Sequence, residues 1–156
     1  MRDDELRLWL RQRNPWWRPS DDRTAWVRHD PTLQGALALG LDYQPPVLAG
    51  VFDGGLYVIR GPRRVGKSVA LKRFVTELLG RPDVRPAQVI YLSLDEFDQR
   101  SLRRALHLAR DLTAPAADAP RYWLIDEVTA VAGWPAVIKA ARDDTPFAFD
   151  TVVLTG

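Results

Sequence analysis

Residues 61–68 read Gly61-Pro62-Arg63-Arg64-Val65-Gly66-Lys67-Ser68, which meets the phosphate-loop pattern G-x-x-x-x-G-K-[ST] (Walker A) at every fixed position. Upstream, Leu56-Tyr57-Val58-Ile59 is short, apolar and β-prone. Downstream, Val69 to Leu79 carries apolar residues at helical spacing, with Gly80 as a stop. Strand, glycine loop and helix in that order make the pattern a phosphate site. Gly61 and Gly66 are expected to permit backbone conformations that a side chain would block, letting amide N–H groups face phosphate oxygens. The helix starting near Lys67 adds the positive end of its dipole. The candidate nucleotide-binding residues are therefore Gly61, Pro62, Arg63, Arg64, Val65, Gly66, Lys67, Ser68 and Val69. Lys67 would reach the β- and γ-phosphates, and the Ser68 hydroxyl would ligate Mg²⁺.

A second motif follows about 60 residues beyond Lys67, with one strand–helix unit between. Tyr122-Trp123-Leu124-Ile125-Asp126-Glu127 is a buried-strand run ending in two acids, the Walker B pattern. Asp126 is the second candidate metal residue, holding Mg²⁺ through water. Glu127 is the candidate that polarises the attacking water, since a carboxylate can orient water and accept its proton as bond-making proceeds. The chain ends in another buried-strand run, Phe149 to Thr155. In ATPases of this layout the strand after Walker B carries a polar tip that senses the γ-phosphate or aligns the water. Thr155 is the candidate for that role; the plain alternative is a strand-end turn. Lys67, Glu127 and Thr155 form the expected catalytic set.

Composition sets the limits. A chain of 156 residues, 46% apolar and 27% charged, suits one soluble globular domain with a real core. The absence of cysteine excludes a disulfide framework and a thiolate metal site. His29 and His107 lie too far apart in sequence to suggest a zinc centre. No apolar run approaches 18 residues and the N-terminus is charged, so a cytoplasmic location is expected. A net charge of +2 is too small to argue for nucleic acid.

Taken in order, residues 2–13 read as an amphipathic helix. Asp3 or Asp4 can cap it, and Leu6, Trp9, Leu10 and Arg13 lie along one side. Asn14-Pro15 ends it. Four of the six tryptophans lie in the first 26 residues, which points to an N-terminal arm pinned onto the core; base stacking or a partner surface is the alternative. Asp30 caps a second helix with Pro31 at its first position, Leu33, Leu37 and Leu41 as its stripe, and Gly40 as its stop. Val47 to Phe52 could be a short edge strand, turned by Asp53-Gly54-Gly55 into the loop's strand. A strand is expected at 88–94 and a helix at 101–112 with Leu102, Ala105, Leu106 and Ala109 inward. An Ala/Pro linker covers 113–120, and Gly133-Trp134-Pro135 opens a further helix. This gives a lead-in arm, residues 1–45, and a nucleotide-binding core, residues 46–156.

These residues resemble prokaryotic ATPases of the AAA superclass whose full chains carry a C-terminal domain of unknown function. The matching stretches are Gly61 to Ser68, Tyr91-Leu92-Ser93-Leu94-Asp95-Glu96, Leu124-Ile125-Asp126-Glu127, Gly133-Trp134 and Val153-Leu154-Thr155-Gly156. Asn14-Pro15-Trp16-Trp17 and His29-Asp30-Pro31 resemble the lead-in of some members. The resemblance implies an α/β fold, a P-loop NTPase αβα sandwich with parallel strand order 5-1-4-3-2. A family member would continue beyond Gly156 into a fifth strand and a helical region with arginines that touch the γ-phosphate. The chain is therefore expected to be the N-terminal part of a longer protein, lacking strand 5 and turning ATP over slowly.

The leading functional expectation is ATP binding and Mg²⁺-dependent hydrolysis coupled to a conformational task, with a homo-oligomer possible. A nucleotide-dependent switch with little turnover is the first alternative. A DNA-associated ATPase is the second, on the cluster Arg60, Arg63, Arg64, Lys72 and Arg73, whose plainer use is counter-charge to a triphosphate. No guanine-reading Asn-Lys-x-Asp segment is present, and the base is inferred from the family.

Overall fold

The computed structural model describes residues 1–41, 44–114, 119–144 and 147–156. Residues 115–118 of the expected Ala/Pro linker lie outside that set. Four strands, β1 (Leu56–Ile59), β2 (Val89–Ser93), β3 (Tyr122–Asp126) and β4 (Thr151–Thr155), form one sheet in the order β1-β4-β3-β2. All pairings are parallel. The order matches 1-4-3-2 of the expected P-loop sandwich.

Parallel strands need helical crossovers, and these cover both faces. On one face lie α1 (Asp3–Arg13), α5 (Gln99–Leu112) and α6 (Trp134–Arg142), packed on Ile90, Leu92, Trp123, Ile125, Val152 and Leu154. On the other lie α2 (Pro31–Ala38), α3 (Pro46–Ala49) and α4 (Lys67–Gly80), packed on Val89, Tyr91, Tyr122, Leu124 and Val153. Successive strand residues thus face opposite layers, as the pleat requires. Because both faces of β2, β3 and β4 are buried, each of these strands reads as a largely apolar run.

The arm covers the open edge of β2. Trp16 and Trp17 both donate their indole N–H to the Val89 carbonyl, at 2.8 and 2.9 Å. Asn14 accepts from the Tyr91 N–H at 2.7 Å and donates Nδ2–H to the Tyr91 carbonyl at 3.1 Å. An edge strand otherwise presents unpaired backbone groups to solvent. The tryptophans are therefore anchors: Trp16 and Trp26 are buried, with ring centroids 4.9 Å apart.

Three local expectations are corrected. Arg2, not Asp3 or Asp4, caps α1; its amide donates to Glu5 Oε2 at 2.8 Å, while Asp3 and Asp4 sit in the first turn, where the helix dipole favours them. The segment 47–52 is not a strand. Pro45 and Pro46 lack the N–H groups a ladder needs, and Pro46 instead starts the short α3, which buries Leu48. No strand pairs with the outer edge of β1 among the described residues, and on one of its faces Leu56 and Val58 stay 43% and 38% exposed. Finally, α2 buries Leu33 and Ala36, an i, i+3 pair on one side of this eight-residue helix, but leaves Leu37 62% exposed. Asp30 caps it as expected, accepting from the Leu33 N–H at 3.0 Å, and Gly40 follows with φ +65°.

Candidate functional site

The glycine loop joins β1 to α4 at the carboxyl ends of the strands. Gly66 is the N-cap of α4 with φ 90°, a left-handed conformation that L side chains rarely adopt. A Cβ added there would meet nothing within 4 Å, so conformation rather than space demands glycine. Gly61 differs from expectation. Its φ lies outside the positive region, and an added Cβ would sit 3.5 Å from Val65 Cγ2, an ordinary contact. The second strained loop residue is Arg64, with φ 62°. Such a conformation at a non-glycine costs of order 1–3 kcal/mol and gathers at functional sites. No sequence pattern marks it, because the motif leaves that position free.

Pro62, Arg63, Arg64 and Val65 are exposed, whereas Lys67, Ser68 and Val69 are half-buried on the first turn of α4. The Lys67 ammonium folds over the loop, donating to the Gly61 carbonyl at 2.6 Å and the Pro62 carbonyl at 3.0 Å. Beside it lies a cavity of about 250 Å³ lined by Leu41, Arg64, Gly66, Lys67, Ser68, Val69 and Glu127.

The two acids close β3. Asp126 is 2% exposed, and its carboxylate is held on both oxygens. Oδ1 accepts from the Thr155 hydroxyl and, at 3.1 Å, from the Glu127 N–H. Oδ2 accepts from the Tyr91 hydroxyl at 3.0 Å. Burial, and then the negative charge of Asp126, push the Tyr91 hydroxyl far above its usual range, so it stays a neutral donor. Glu127 takes a left-handed backbone, φ 54° and ψ 40°, at the start of a 3₁₀ turn, Val128–Ala130. Thr155 is completely buried at the tip of β4.

A larger cavity, about 530 Å³, opens on the acids from the side of the arm. Ser68, Ser93, Asp95, Asp126 and Glu127 line its core wall; Gln12, Arg13, Trp26, His29 and Asp30 line its arm wall. Ser68 and Glu127 face both cavities. The arm wall is what sequence reasoning missed, since no local pattern joins residues 12–30 to residues 93–127. Of the residues expected from the sequence, Ser68, Asp126 and Glu127 line the larger cavity, and Arg64, Gly66, Lys67, Ser68, Val69 and Glu127 line the smaller one.

The basic cluster does not survive as a unit. Lys72 pairs with Asp30 of the arm at 2.7 Å, with both side chains largely buried, and lies 5.3 Å from the Tyr91 ring centre. Arg73 donates to the Leu41 carbonyl. Arg60, Arg63 and Arg64 remain exposed on or before the loop.

A β-strand, glycine loop and helix at the carboxyl end of a parallel αβα sheet, with acids closing the next strand but one, define a P-loop NTPase-like fold. Comparison with known proteins narrows the class. The AAA domain family matches residues 53–156, and the chain belongs to that family. It is thus an ATPase-like nucleotide-binding module. A relative from Haemophilus influenzae, described as "Uncharacterized protein", is 30% identical over 102 residues, covering 64% of this chain and 24% of the relative. The chain spans about a quarter of that relative's length. No solved structure matches. Among the described residues, no helix is long and apolar enough to cross a membrane.

Proposed function

We propose that this chain binds ATP with Mg²⁺ at the glycine loop and hydrolyses it to ADP and phosphate. The observation that carries the reading is the convergence of the α4 N-terminus, Ser68, Asp126 and Glu127 on adjoining cavities. Amides of the loop and the first turn of α4 would take phosphate oxygens, aided by the helix dipole. Lys67 would exchange the Gly61 and Pro62 carbonyls for phosphate, a stronger charge-assisted partner.

The residues present fit Mg²⁺. Among the described residues, no cluster of three or more His, Asp or Glu could hold a metal alone. Mg²⁺, however, commonly takes one or two protein oxygens plus phosphate and water. Ser68 supplies a hydroxyl and Asp126 a carboxylate. Of the ~4 lone-pair sites a carboxylate offers, three are used by Thr155, Glu127 and Tyr91, leaving one on Oδ2. When bound, Mg²⁺ would neutralise charge on the β- and γ-phosphate oxygens. Glu127, on a strained backbone facing both cavities, would hold the attacking water by its carboxylate and take its proton. Thr155, fully buried and lining neither cavity, would act through Asp126, to which its hydroxyl is bonded, rather than on the γ-phosphate directly.

Residues 1–45 would serve as an edge cover for the core, 46–156. A cysteine-free, ATP-using module fits the cytoplasm. The arginines at 60, 63 and 64 lie on the loop side, so a cation approaching from the far side would come from elsewhere; Arg13 lines the arm wall of the large cavity. A switch with little turnover is the second reading, favoured by the Lys67 ammonium already held by its own loop.

The test is calorimetric titration with ATP and Mg²⁺. Lys67→Ala is expected to weaken binding at least tenfold, about 1.4 kcal/mol. Glu127→Gln is expected to keep affinity and lose phosphate release. Equal affinity of wild type and Lys67→Ala sinks the binding site. Unchanged turnover in Glu127→Gln sinks its role as base.

A further inference from the structure

Tyr91 joins the arm to the acid end of the sheet. Its backbone is clasped on both sides by Asn14, N–H to Oδ1 and C=O to Nδ2–H. Its ring lies under the Lys72 ammonium, which is itself held by Asp30 of the arm. Its hydroxyl ends on Asp126 Oδ2. Asn14 is fully buried and Tyr91 nearly so, and Asn14 is further fixed by a 2.8 Å bond to the Leu10 carbonyl of α1. The chain of contacts from α1 to the carboxylate is therefore continuous, and each link is a hydrogen bond or a packed ring.

Asp126 Oδ2 is the oxygen with a free lone-pair site, so whatever sets its direction sets where that site points. Three donors fix the carboxylate plane: the Thr155 hydroxyl from β4 and the Glu127 N–H on Oδ1, and the Tyr91 hydroxyl from β2, the one donor on Oδ2 among the described residues. Thr155 belongs to the sheet interior. Tyr91 sits on the edge strand, and its outward N–H and carbonyl are both held by Asn14 of the arm.

We propose that Tyr91 is a positioning residue through which the N-terminal arm aims the Asp126 carboxylate at the divalent metal. This rests on the reading that Mg²⁺ and nucleotide bind here. Tyr91 lines the large cavity beside Asp126, and its part here is to orient the oxygen that would hold the metal; partners of this kind typically change metal affinity 10–100-fold when removed. By linkage, binding of the metal tightens the arm on β2 as much as the arm favours the metal.

The experiment measures ADP affinity by calorimetry, with Mg²⁺ and with chelator, and takes the ratio. Tyr91→Phe keeps the ring and loses the hydroxyl. It is expected to lower the Mg²⁺ enhancement by about tenfold while leaving the metal-free affinity within about twofold. A second variant, Asn14→Ala, breaks the other end of the link and is studied below its melting temperature. It is expected to lower the same ratio, and the double variant to add little, because both act through one hydroxyl. An unchanged ratio in Tyr91→Phe, or equal loss with and without metal, overturns the proposal, as does full additivity of the two variants. The Lys67→Ala control separates the readings. If it too leaves ADP affinity unchanged, the nucleotide site has failed; if it weakens affinity while Tyr91→Phe leaves the ratio intact, only the positioning role has failed.

Discussion

Asn14→Ala is the sharpest test of how the arm is held. The side chain makes three hydrogen bonds, to the Leu10 carbonyl, the Tyr91 carbonyl and the Tyr91 N–H. The Leu10 carbonyl keeps a partner, since the Asn14 amide also donates to it at 3.1 Å. The two Tyr91 groups do not; they lie on the edge of β2 beneath a fully buried residue. An orphaned buried backbone group costs about 1–3 kcal/mol, so two cost about 2–4 kcal/mol once partial access of water is allowed for. At about 2–4 °C per kcal/mol for a chain of this length, the melting temperature should fall by about 5–15 °C. Thermal unfolding followed by circular dichroism measures it, with the exposed Arg11→Ala on the same helix as a control expected within about 0.5 kcal/mol of wild type. A loss below about 1 kcal/mol would mean the edge of β2 does not depend on Asn14, and the account of the arm would be wrong.

The two loop glycines should separate. Gly66→Ala forces a left-handed φ on a side chain and should cost about 1–2 kcal/mol by urea denaturation, whereas Gly61→Ala should leave folding stability nearly unchanged; equal losses would refute the distinction. Asp150 gives a pH test. Burial raises its carboxyl above the ordinary range, opposed by the Arg121 N–H and the Trp123 indole, which donate to it at 2.8 Å each. An acid raised on folding binds its proton in the native state first, so its contribution declines as pH rises from the unfolded value, about 3.9, through the folded one. The stability of wild type relative to Asp150→Asn should therefore fall with pH over that window; parallel curves would contradict it.

Much of this was legible beforehand because the signals are local. Tyr122 to Ile125 is buried on both faces, so its apolar run reads as a buried parallel strand, and Gly66-Lys67-Ser68 fixes where the helix after β1 starts. Leu102, Ala105, Leu106 and Ala109 announced the buried side of α5 by spacing alone. What failed was decided by tertiary partners. Leu37 has the right spacing for the α2 stripe, yet it stays exposed while Leu33 and Ala36 are buried. The proposed edge strand at 47–52 ignored two prolines that cannot join a ladder. Lys72 looked like part of a phosphate-seeking cluster because its partner, Asp30, lies 42 residues earlier. The arm wall of the large cavity had no sequence signature at all, since residues 12–30 meet the acids only through folding.

The way the edge is covered explains why the arm is not a strand. A neighbouring strand would give β2 an acceptor and a donor at each outward residue. Asn14 gives Tyr91 both from one side chain, and two indoles converge on the Val89 carbonyl, using its two lone pairs. Side chains can do this without extending the backbone, so α1 stays helical and buries Leu6 and Leu10 in the layer of α5. A few residues later Trp16, Trp26 and Leu33 bury in the layer of α4, on the opposite face of the sheet. The arm thus wraps the edge from one layer to the other. A strand in its place would have to lie along the sheet and could cross neither face. Wrapping brings Arg13, Trp26, His29 and Asp30 over the carboxyl end of β2 and β3, forming the arm wall of the 530 Å³ cavity. Edge protection and closure of the site are consequences of the same turn of chain around β2, so a change that loosens one must loosen the other.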